Sequence, residues 1–174
     1  DVAMMSAELL KHEEYFKWST IWMDELKHEK DGRSTELVNT NKLIRSLNGC
    51  DGLKTGYTSD AGFCVTTTAK RGDMRLISVI LGGNSSKERF KESAELINYG
   101  FANYQNNRAV VAGDIVGTVA LKGGMEETVN AMALNDYFVC VRNDGTDSLE
   151  TRIELPENLS APVQQGQEIG KIVI

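Results

Sequence analysis

The segment that most restricts the fold is a nearly continuous apolar run at residues 75–81, followed closely by a capped amphipathic helix. A short apolar run of this kind between turn signals is typical of a strand buried on both faces. After it, Ser85-Ser86-Lys87-Glu88 matches a capping box, which predicts the start of a helix. The apolar positions of that helix are Phe90, Ala94, Ile97, Phe101 and Tyr104. Their spacing predicts a helix over residues 86–104 that packs on a sheet.

Other strands are predicted on the N-terminal side of this run. Residues 63–69 alternate and are rich in Thr and Val, which predicts a strand, and Gly72-Asp73 predicts a hairpin turn between the two strands. Further upstream, the turn signals Asn48-Gly49 and Asp51-Gly52 lead the chain into residues 53–57. We therefore expect a further strand that is entered from a tight turn.

The N-terminal part of the chain carries weaker signals. Residues 1–14 have helical spacing and predict a helix. An apolar cluster follows that is compatible with a short strand or a helix end: Trp18, Ile21, Trp22 and Met23. Asp31-Gly32 predicts a turn within a charged stretch. Asn39 is expected to cap a short helix at residues 42–45.

The pattern changes near residues 105–108, a polar stretch that we interpret as a domain boundary. No helical period follows it. Short strand-like runs follow instead, separated by turn signals: residues 110–121, 128–134, 137–142, 149–155 and 168–174. This succession predicts a small all-β domain, a sandwich or a barrel.

Composition and charge exclude several functions. The net charge of −6 provides no basic field that would attract nucleic acid. The longest apolar stretch, at residues 76–81, is far too short to span a membrane. Cys50, Cys64 and Cys140 lack CxxC spacing and predict neither a disulfide framework nor a zinc site.

The sharpest motif is Lys54-Thr55-Gly56, on the strand predicted after the two turns. The tripeptide alone has little specificity, so the surrounding string carries the argument: Asp51-Gly52-Leu53-Lys54-Thr55-Gly56-Tyr57-Thr58, then Ala61-Gly62-Phe63. This string closely resembles the third motif of the low-molecular-mass penicillin-binding proteins, which are serine D-alanyl-D-alanine carboxypeptidases. The resemblance continues through residues 74–79 and the capped helix. Near the C-terminus, three short strings are similar to the end of the family's β-rich domain: Ala161-Pro162-Val163, Gly166-Gln167 and Ile169-Gly170.

The resemblance implies roles for five residues. Lys54 is expected to be catalytic, since its ammonium would attract the substrate carboxylate and bias nearby proton transfers. The Thr55 hydroxyl would donate to that carboxylate, and Gly56 would let a substrate backbone lie along the strand. The backbone N–H of Tyr57 would supply one oxyanion-hole donor, and Arg89 would bind the substrate carboxylate. The alternative for Arg89 is an ordinary solvent-exposed arginine on the helix.

The chain departs from the family in its serines. No serine in the sequence has Lys three positions later, so the family's Ser-x-x-Lys nucleophile motif is absent. Ser46-Leu47-Asn48 matches the family's second motif, Ser-x-Asn, but it lies in the predicted turn before residues 53–57 and is rejected for that reason. We therefore expect a fragment that begins after the second motif and is inactive alone.

The resemblance also implies an architecture. The fold class is α+β. Residues 1–106 would form the C-terminal portion of a penicillin-recognising, transpeptidase-like domain with an antiparallel sheet and packed helices, and residues 107–174 a small all-β sandwich domain. The activity would be removal of the terminal D-alanine from peptidoglycan stem peptides through an acyl-serine intermediate, with no metal or cofactor.

The expected partners and setting follow from the same resemblance. The partners are stem peptides ending in D-Ala-D-Ala and β-lactam antibiotics, at the outer face of the bacterial cytoplasmic membrane. Membrane association would require segments that this sequence does not contain. Without the family's upstream helices, an apolar face of the sheet would be exposed, so we also expect self-association or binding to an upstream fragment.

Alternative functions stay open. A serine β-lactamase relative would also carry Lys54-Thr55-Gly56, although the trailing β domain argues against it. A non-catalytic cell-wall binding or scaffolding module is the alternative outside enzymes. Residues 166–174 faintly resemble a lipoyl or biotin carrier, but Lys171 lies within a strand pattern rather than at a hairpin tip.

Overall fold

The computed structural model describes residues 1–30 and 32–174, which divide into two compact units, Asp1–Asn103 and Tyr104–Ile174. The helices of the first unit are α1 (Val2–Leu9), a 3-10 helix (Glu13–Tyr15), α2 (Phe16–Ser19), α3 (Leu43–Ser46) and α4 (Ser86–Asn103). Its strands are β1 (Met23–Lys27), β2 (Ser34–Val38), β3 (Cys50–Thr58), β4 (Gly62–Arg71) and β5 (Met74–Gly83). None of the described helices combines the length and apolar composition needed to cross a membrane.

Strands β3, β4 and β5 form an antiparallel sheet with β4 at its centre. The predicted hairpin at Gly72-Asp73 is confirmed, because β4 and β5 pair on either side of it. The prediction that residues 75–81 are buried on both faces is wrong in part, since Leu81 is 65% exposed. In the described residues β5 lies at the edge of the sheet, and the central strand β4 is the most buried of the three strands.

Helix α4 packs on β4 and β5. Its predicted capping is confirmed, since the Ser85 hydroxyl accepts the Glu88 N–H at 3.1 Å and the Glu88 carboxylate accepts the Asn84 N–H at 3.0 Å. Within the interface, the buried Ser93 hydroxyl donates to the Thr67 hydroxyl at 2.6 Å. The helix ends at Asn103, so Tyr104 does not belong to its stripe.

Two predictions in the N-terminal part need correction. The helix expected over residues 1–14 ends at Leu9, because His12 adopts an extended backbone and a separate 3-10 helix follows. Asn39 does not cap α3: its amide instead donates to the carbonyls of Ser19 and Ile21. The side chain of Asn41 has the capping role, since its Oδ1 accepts the N–H of Leu43 at 3.2 Å.

Strands β1 and β2 pair as an antiparallel hairpin, and the predicted turn falls between them in the sequence. Gly32 has a φ of +68°, as a tight turn requires. Its predicted partner in the turn, Asp31, lies outside the described residues. The apolar cluster before the hairpin divides between two elements, with Trp18 in α2 and Met23 at the start of β1.

The second unit consists of strands in the described residues: β6 (Tyr104–Val110), β7 (Ile115–Lys122), β8 (Thr128–Met132), β9 (Tyr137–Arg142), β10 (Arg152–Glu154), β11 (Asn158–Ser160) and β12 (Lys171–Val173). They pair as β6 with β9, β10 with β12, and β11-β7-β8. The polar stretch at residues 105–108 is not a linker, since it forms the middle of β6 and pairs with β9. The predicted domain limit at 106/107 therefore falls inside a strand. Strand β11 was not predicted.

Two turns of this unit share one geometry. The N–H of Asp114 donates to the Val111 carbonyl, and the N–H of Gln167 donates to the Gln164 carbonyl. The third residue of each turn is a glycine with positive φ, +89° at Gly113 and +80° at Gly166. A positive φ at that position defines a type II turn, for which glycine is the favoured residue.

Candidate active site

Lys54-Thr55-Gly56 lies on β3, at one edge of the sheet. In the register with β4, Lys54 is opposite Thr66, and Gly56 is opposite Cys64. No strand of the described residues pairs with the other side of β3. Main-chain groups on that side of β3 can therefore pair with an extended ligand, except the carbonyls of Leu53 and Thr55, which already accept side-chain hydrogen bonds.

The edge borders a cleft of about 470 Å³ between β3, β4 and α1. Lys54, Thr55 and Gly56 all line it, and its opposite wall is the apolar side of α1, including Met5 and Leu9. The ammonium of Lys54 donates to the carbonyl of Thr55, which holds the cation beside the strand. Lys54 is exposed, so its positive charge is accessible to an anion that approaches this edge.

Gly56 has open space around it. A Cβ built at this position meets no other atom within 4 Å, and the residue has no positive φ that would require glycine. The described part of the chain therefore gives no steric or conformational reason for a glycine here. Close approach of a ligand backbone to the strand is a physical reason that does apply.

Thr55 is only 8% exposed. Its Oγ1 lies 2.7 Å from Oγ1 of Thr40, in the segment between β2 and α3. Sequence reasoning missed Thr40, because the contact joins residues that are 15 positions apart and no local pattern marks it. The hydroxyl predicted to bind a carboxylate thus already has one hydrogen-bond partner.

Arg89 is buried, with 7% exposure, so the alternative of an ordinary solvent-exposed arginine is wrong. Its Nη1 donates to the carbonyls of Gly56 at 2.8 Å and of Cys64 at 2.9 Å. The guanidinium also lies over the rings of Phe63 and Phe90. Arg89 therefore ties the end of the motif strand to β4. Its predicted contact with a substrate carboxylate stays a prediction.

This contact fixes one peptide plane. Since the Gly56 carbonyl meets the same Arg89 nitrogen as Cys64 on β4, it points to the β4 side of the strand. In a trans peptide the N–H points opposite to the preceding C=O. The N–H of Tyr57 is therefore directed towards the free edge of β3, as a donor to an oxyanion requires.

The Tyr57 ring forms the outer end of an aromatic stack. It lies 4.3 Å from the Phe63 ring, centroid to centroid, with an interplanar angle of 33°. Phe63 in turn packs against the guanidinium of Arg89. The Tyr57 side chain remains 61% exposed, so it is free to contact a ligand that lies along the edge.

Another supporting residue lies outside every motif. The Tyr15 hydroxyl donates to the carbonyl of Leu53 at 3.3 Å, directly before Lys54. Burial raises the pKa of Tyr15, so its hydroxyl keeps the proton that this bond needs. A Cβ at Gly52 would lie 2.5 Å from that hydroxyl, which explains the glycine at this position. No spacing in the sequence connects Tyr15 to the motif.

At the start of β3, a charged pair orients the strand. Arg75 on β5 makes two hydrogen bonds to the Asp51 carboxylate, both at 2.8 Å, and a third to the Thr68 hydroxyl. Phe16 lies against the guanidinium. Ser46-Leu47-Asn48 was expected in the turn before β3. Asn48 lies in that turn, whereas Ser46 is the last residue of α3, where its hydroxyl donates to the Lys42 carbonyl.

The arrangement combines a cation, a hydroxyl and an outward-directed N–H along one free strand edge. Such an edge can hold an extended peptide by its main chain and its terminal carboxylate. The N–H of Tyr57 can also stabilise negative charge that develops on a carbonyl oxygen. These are the binding functions of an acyl-transfer site.

Comparisons with known proteins agree over nearly the whole chain. Residues 1–85 match a family described as D-alanyl-D-alanine carboxypeptidase, and residues 104–174 match the penicillin-binding protein 5 C-terminal domain. The chain is 33% identical over 175 residues to D-alanyl-D-alanine carboxypeptidase DacF of Bacillus subtilis, which covers 100% of the chain and 45% of the relative. It is 36% identical over 140 residues to DacA of Haemophilus influenzae, covering 78% of the chain and 35% of the relative.

Solved structures give the same result. Penicillin-binding protein 5 from Haemophilus influenzae matches with a TM-score of 0.70 and 33% identity, over 92% of this chain and 46% of that one. Penicillin-binding protein 3 from Streptococcus pneumoniae matches with a TM-score of 0.69 at 22% identity, over 93% of this chain and 45% of that one, and supports the fold alone. The predicted α+β fold with a following β domain is confirmed. The chain spans less than half the length of these relatives.

Proposed function

Since the chain belongs to the low-molecular-mass penicillin-binding proteins, the family of serine D-alanyl-D-alanine carboxypeptidases, we propose that it supplies the substrate-binding edge of such an enzyme. The enzyme would remove the terminal D-alanine from peptidoglycan stem peptides. The observation that carries the proposal is the free edge of β3, where the Arg89 contact with Gly56 directs the Tyr57 N–H outwards.

The stem peptide binds as an added strand along β3. Its terminal carboxylate meets the ammonium of Lys54 and the hydroxyl of Thr55. Gly56 leaves room for the peptide backbone, as the open space at its Cβ position supports. Arg89 adds positive charge near the carboxylate and holds the peptide plane of Gly56 and Tyr57. Lys54 also biases proton transfer to and from the reacting groups.

The reaction proceeds in two steps. A serine hydroxyl attacks the carbonyl carbon of the penultimate D-alanine, the amide bond breaks, and the terminal D-alanine leaves with the proton. Water then hydrolyses the acyl-serine ester and restores the serine. During both steps the carbonyl oxygen becomes negative, and the Tyr57 N–H stabilises it. The reaction needs a Ser-x-x-Lys serine, which these 174 residues do not contain.

The substrate places this activity outside the cytoplasmic membrane, at the bacterial cell wall. Because β-lactams mimic the acyl-D-alanyl-D-alanine end, they react with the same serine and stay attached as an ester. The names of the relatives and of the matched C-terminal domain, which refer to penicillin binding, support this second ligand class.

The test uses the full-length protein that carries this chain. Release of D-alanine is measured from a diacetyl-Lys-D-Ala-D-Ala tripeptide, with Lys54→Ala as the inactive control. Labelled penicillin should form a stable adduct with the full-length protein and none with the 174-residue chain, as intact-mass spectrometry reports. Rapid penicillin turnover without D-alanine release would instead indicate a β-lactamase. A full-length protein with neither reaction would contradict the proposal and favour a binding module.

A further inference from the structure

The segment that connects β2 to α3 brings one hydroxyl to the motif strand. Thr40 lies between two asparagines that fix the chain on either side of it. The amide of Asn39 donates to the Ser19 carbonyl at 3.1 Å and to the Ile21 carbonyl at 3.0 Å. Asn41 is 2% exposed, and its Oδ1 accepts the N–H of Leu43. The Thr40 hydroxyl is therefore held in place by its neighbours, 2.7 Å from that of Thr55.

The protons of these two hydroxyls can be arranged in two ways. A hydroxyl has one proton to donate and lone pairs that accept. If Thr55 donates to Thr40, its oxygen presents only lone pairs to the cleft, and lone pairs repel a carboxylate. If Thr40 donates to Thr55, the Thr55 proton is free to bind a carboxylate oxygen. No other hydrogen bond of the Thr55 hydroxyl is seen among the described residues.

We propose that Thr40 is a positioning residue, whose hydroxyl donates to Thr55 and so directs the Thr55 proton at the substrate carboxylate. This inference rests on the proposed function, since it concerns the carboxylate that Thr55 would bind. Thr40 does not touch the substrate. It is exposed, so water can accept or donate at its remaining positions. Hydrogen bonds in such a chain strengthen one another, which makes Thr55 a better donor.

The expected effect falls on binding. Thr55 contacts a carboxylate that is equally charged in the bound substrate and in the transition state, so weakening the contact raises KM and leaves kcat nearly unchanged. The loss of one neutral hydrogen bond corresponds to about a three- to tenfold rise in KM. A merely structural role would instead lower stability and kcat.

The experiment measures kcat and KM of the full-length protein for the diacetyl-Lys-D-Ala-D-Ala tripeptide. Thr40→Val removes the hydroxyl at nearly constant volume, Thr40→Ala is a second variant without it, and Thr40→Ser restores it. Thr35→Val is the matched control, because that hydroxyl bonds to His28 rather than to β3. Inhibition by a non-cleavable analogue of the peptide, tested as the carboxylate and as the C-terminal amide, isolates the carboxylate contact.

The inference predicts a raised KM for Thr40→Val and Thr40→Ala, wild-type values for Thr40→Ser and Thr35→Val, and a weakened inhibition constant for the carboxylate only. It is overturned if Thr40→Val has the KM of the wild type, if Thr40→Ser behaves like Thr40→Val, or if the amide is weakened as much as the carboxylate. A wild-type protein that releases no D-alanine would overturn the proposed function, and this inference with it.

Discussion

The guanidinium of Arg89 connects the two strands that carry the candidate site. Sequence patterns predicted the helix position of Arg89 through the capping box, and the resemblance drew attention to it. They did not predict its burial, because hydrophobic periodicity counts apolar residues and treats a charged one as exposed. The contacts that bury it, with Gly56, Cys64 and Phe63, come from another part of the chain.

Replacing Arg89 by lysine should destabilise the 174-residue chain. Both carbonyls accept from the single Nη1, which lies farther from the backbone than a lysine ammonium reaches, and the flat guanidinium also lies over two rings. A lysine therefore loses charge-assisted hydrogen bonds in a buried place. We expect the free energy of unfolding to fall by about 1–3 kcal/mol in urea titrations. The control is Lys91→Ala on the same helix, whose exposed pair with Glu95 should contribute less than about 0.5 kcal/mol. Equal effects of the two variants would contradict this role.

Substitution by alanine should lower stability at one glycine of β3 and leave it nearly unchanged at another. At Gly52 a Cβ would lie 2.5 Å from the Tyr15 hydroxyl and 3.2 Å from Cγ2 of Thr68, so Gly52→Ala should cost about 1–3 kcal/mol of stability. At Gly56 a Cβ meets nothing within 4 Å, so stability should stay within about 0.5 kcal/mol.

The activity of the full-length protein provides the second measurement. Gly56→Ala should lower kcat/KM for the tripeptide by about tenfold or more, since the added methyl group displaces the bound backbone. If Gly56→Ala lowered stability but left kcat/KM unchanged, this glycine would be needed for folding and not for the approach of the ligand backbone.

At the scale of elements, helix α4 was predicted correctly, but the predicted list of its buried residues was incomplete. The predicted stripe contained only apolar residues, and of these Phe90 and Ile97 are buried. Arg89 and Ser93 share the buried face, since they precede Ile97 by eight and four positions. Gly100 continues it, because a Cβ there would lie 2.5 Å from Leu76. A polar or small residue can lie on a buried face when a residue from another element bonds to it or packs closely on it. A single sequence does not show these contacts.

Strand β6 is an element that the sequence pattern failed to predict. Its residues 105–108 are polar because much of the strand is exposed, and a polar stretch between two patterns resembles a linker. Its backbone nevertheless pairs with β9, from Tyr104 opposite Arg142 to Asn107 opposite Val139. Pairing between distant strands depends on main-chain groups that every residue carries, so composition could not predict it.

This pairing predicts where the β domain can be separated. A protein of residues 104–174 should unfold in one cooperative thermal transition. A protein of residues 108–174 lacks the first four pairs of β6 with β9 and should be less stable by about 1–4 kcal/mol, at roughly 0.2–1 kcal/mol a pair. Circular dichroism of both proteins at several temperatures makes the comparison. Equal unfolding midpoints for the two proteins would contradict a domain limit at Tyr104. The absence of a cooperative transition in both proteins would show that the second unit does not fold alone.

At the scale of the whole molecule, the resemblance predicted more than periodicity did. It predicted the α+β class with a transpeptidase-like first domain, and it agreed with the β-rich domain that the succession of strand-like runs already predicted. It did not predict the residues that hold the motif in place. Tyr15 and Thr40 each make one hydrogen bond to β3, and both lie outside the strings on which the resemblance was based.

The apolar wall of the cleft predicts the association state of the 174-residue chain. On α1, Met5 and Leu9 are exposed, and the exposed Leu81 of β5 lines the same cleft. Exposed apolar side chains that lie together on a protein surface mark association sites. We therefore expect the isolated chain to self-associate at micromolar concentration, or to copurify with the remainder of its protein.

Light scattering and apolar-dye binding test this expectation. Met5→Gln combined with Leu81→Gln places two amides on the wall, which makes its burial against a second copy unfavourable, so association should weaken and dye binding should fall. Met125→Gln is the matched control, because Met125 is fully exposed and belongs to the second unit. A compact, monodisperse wild-type monomer that binds no dye would show that the wall is covered within the chain. Equal weakening by Met125→Gln would place the association surface in the β domain instead.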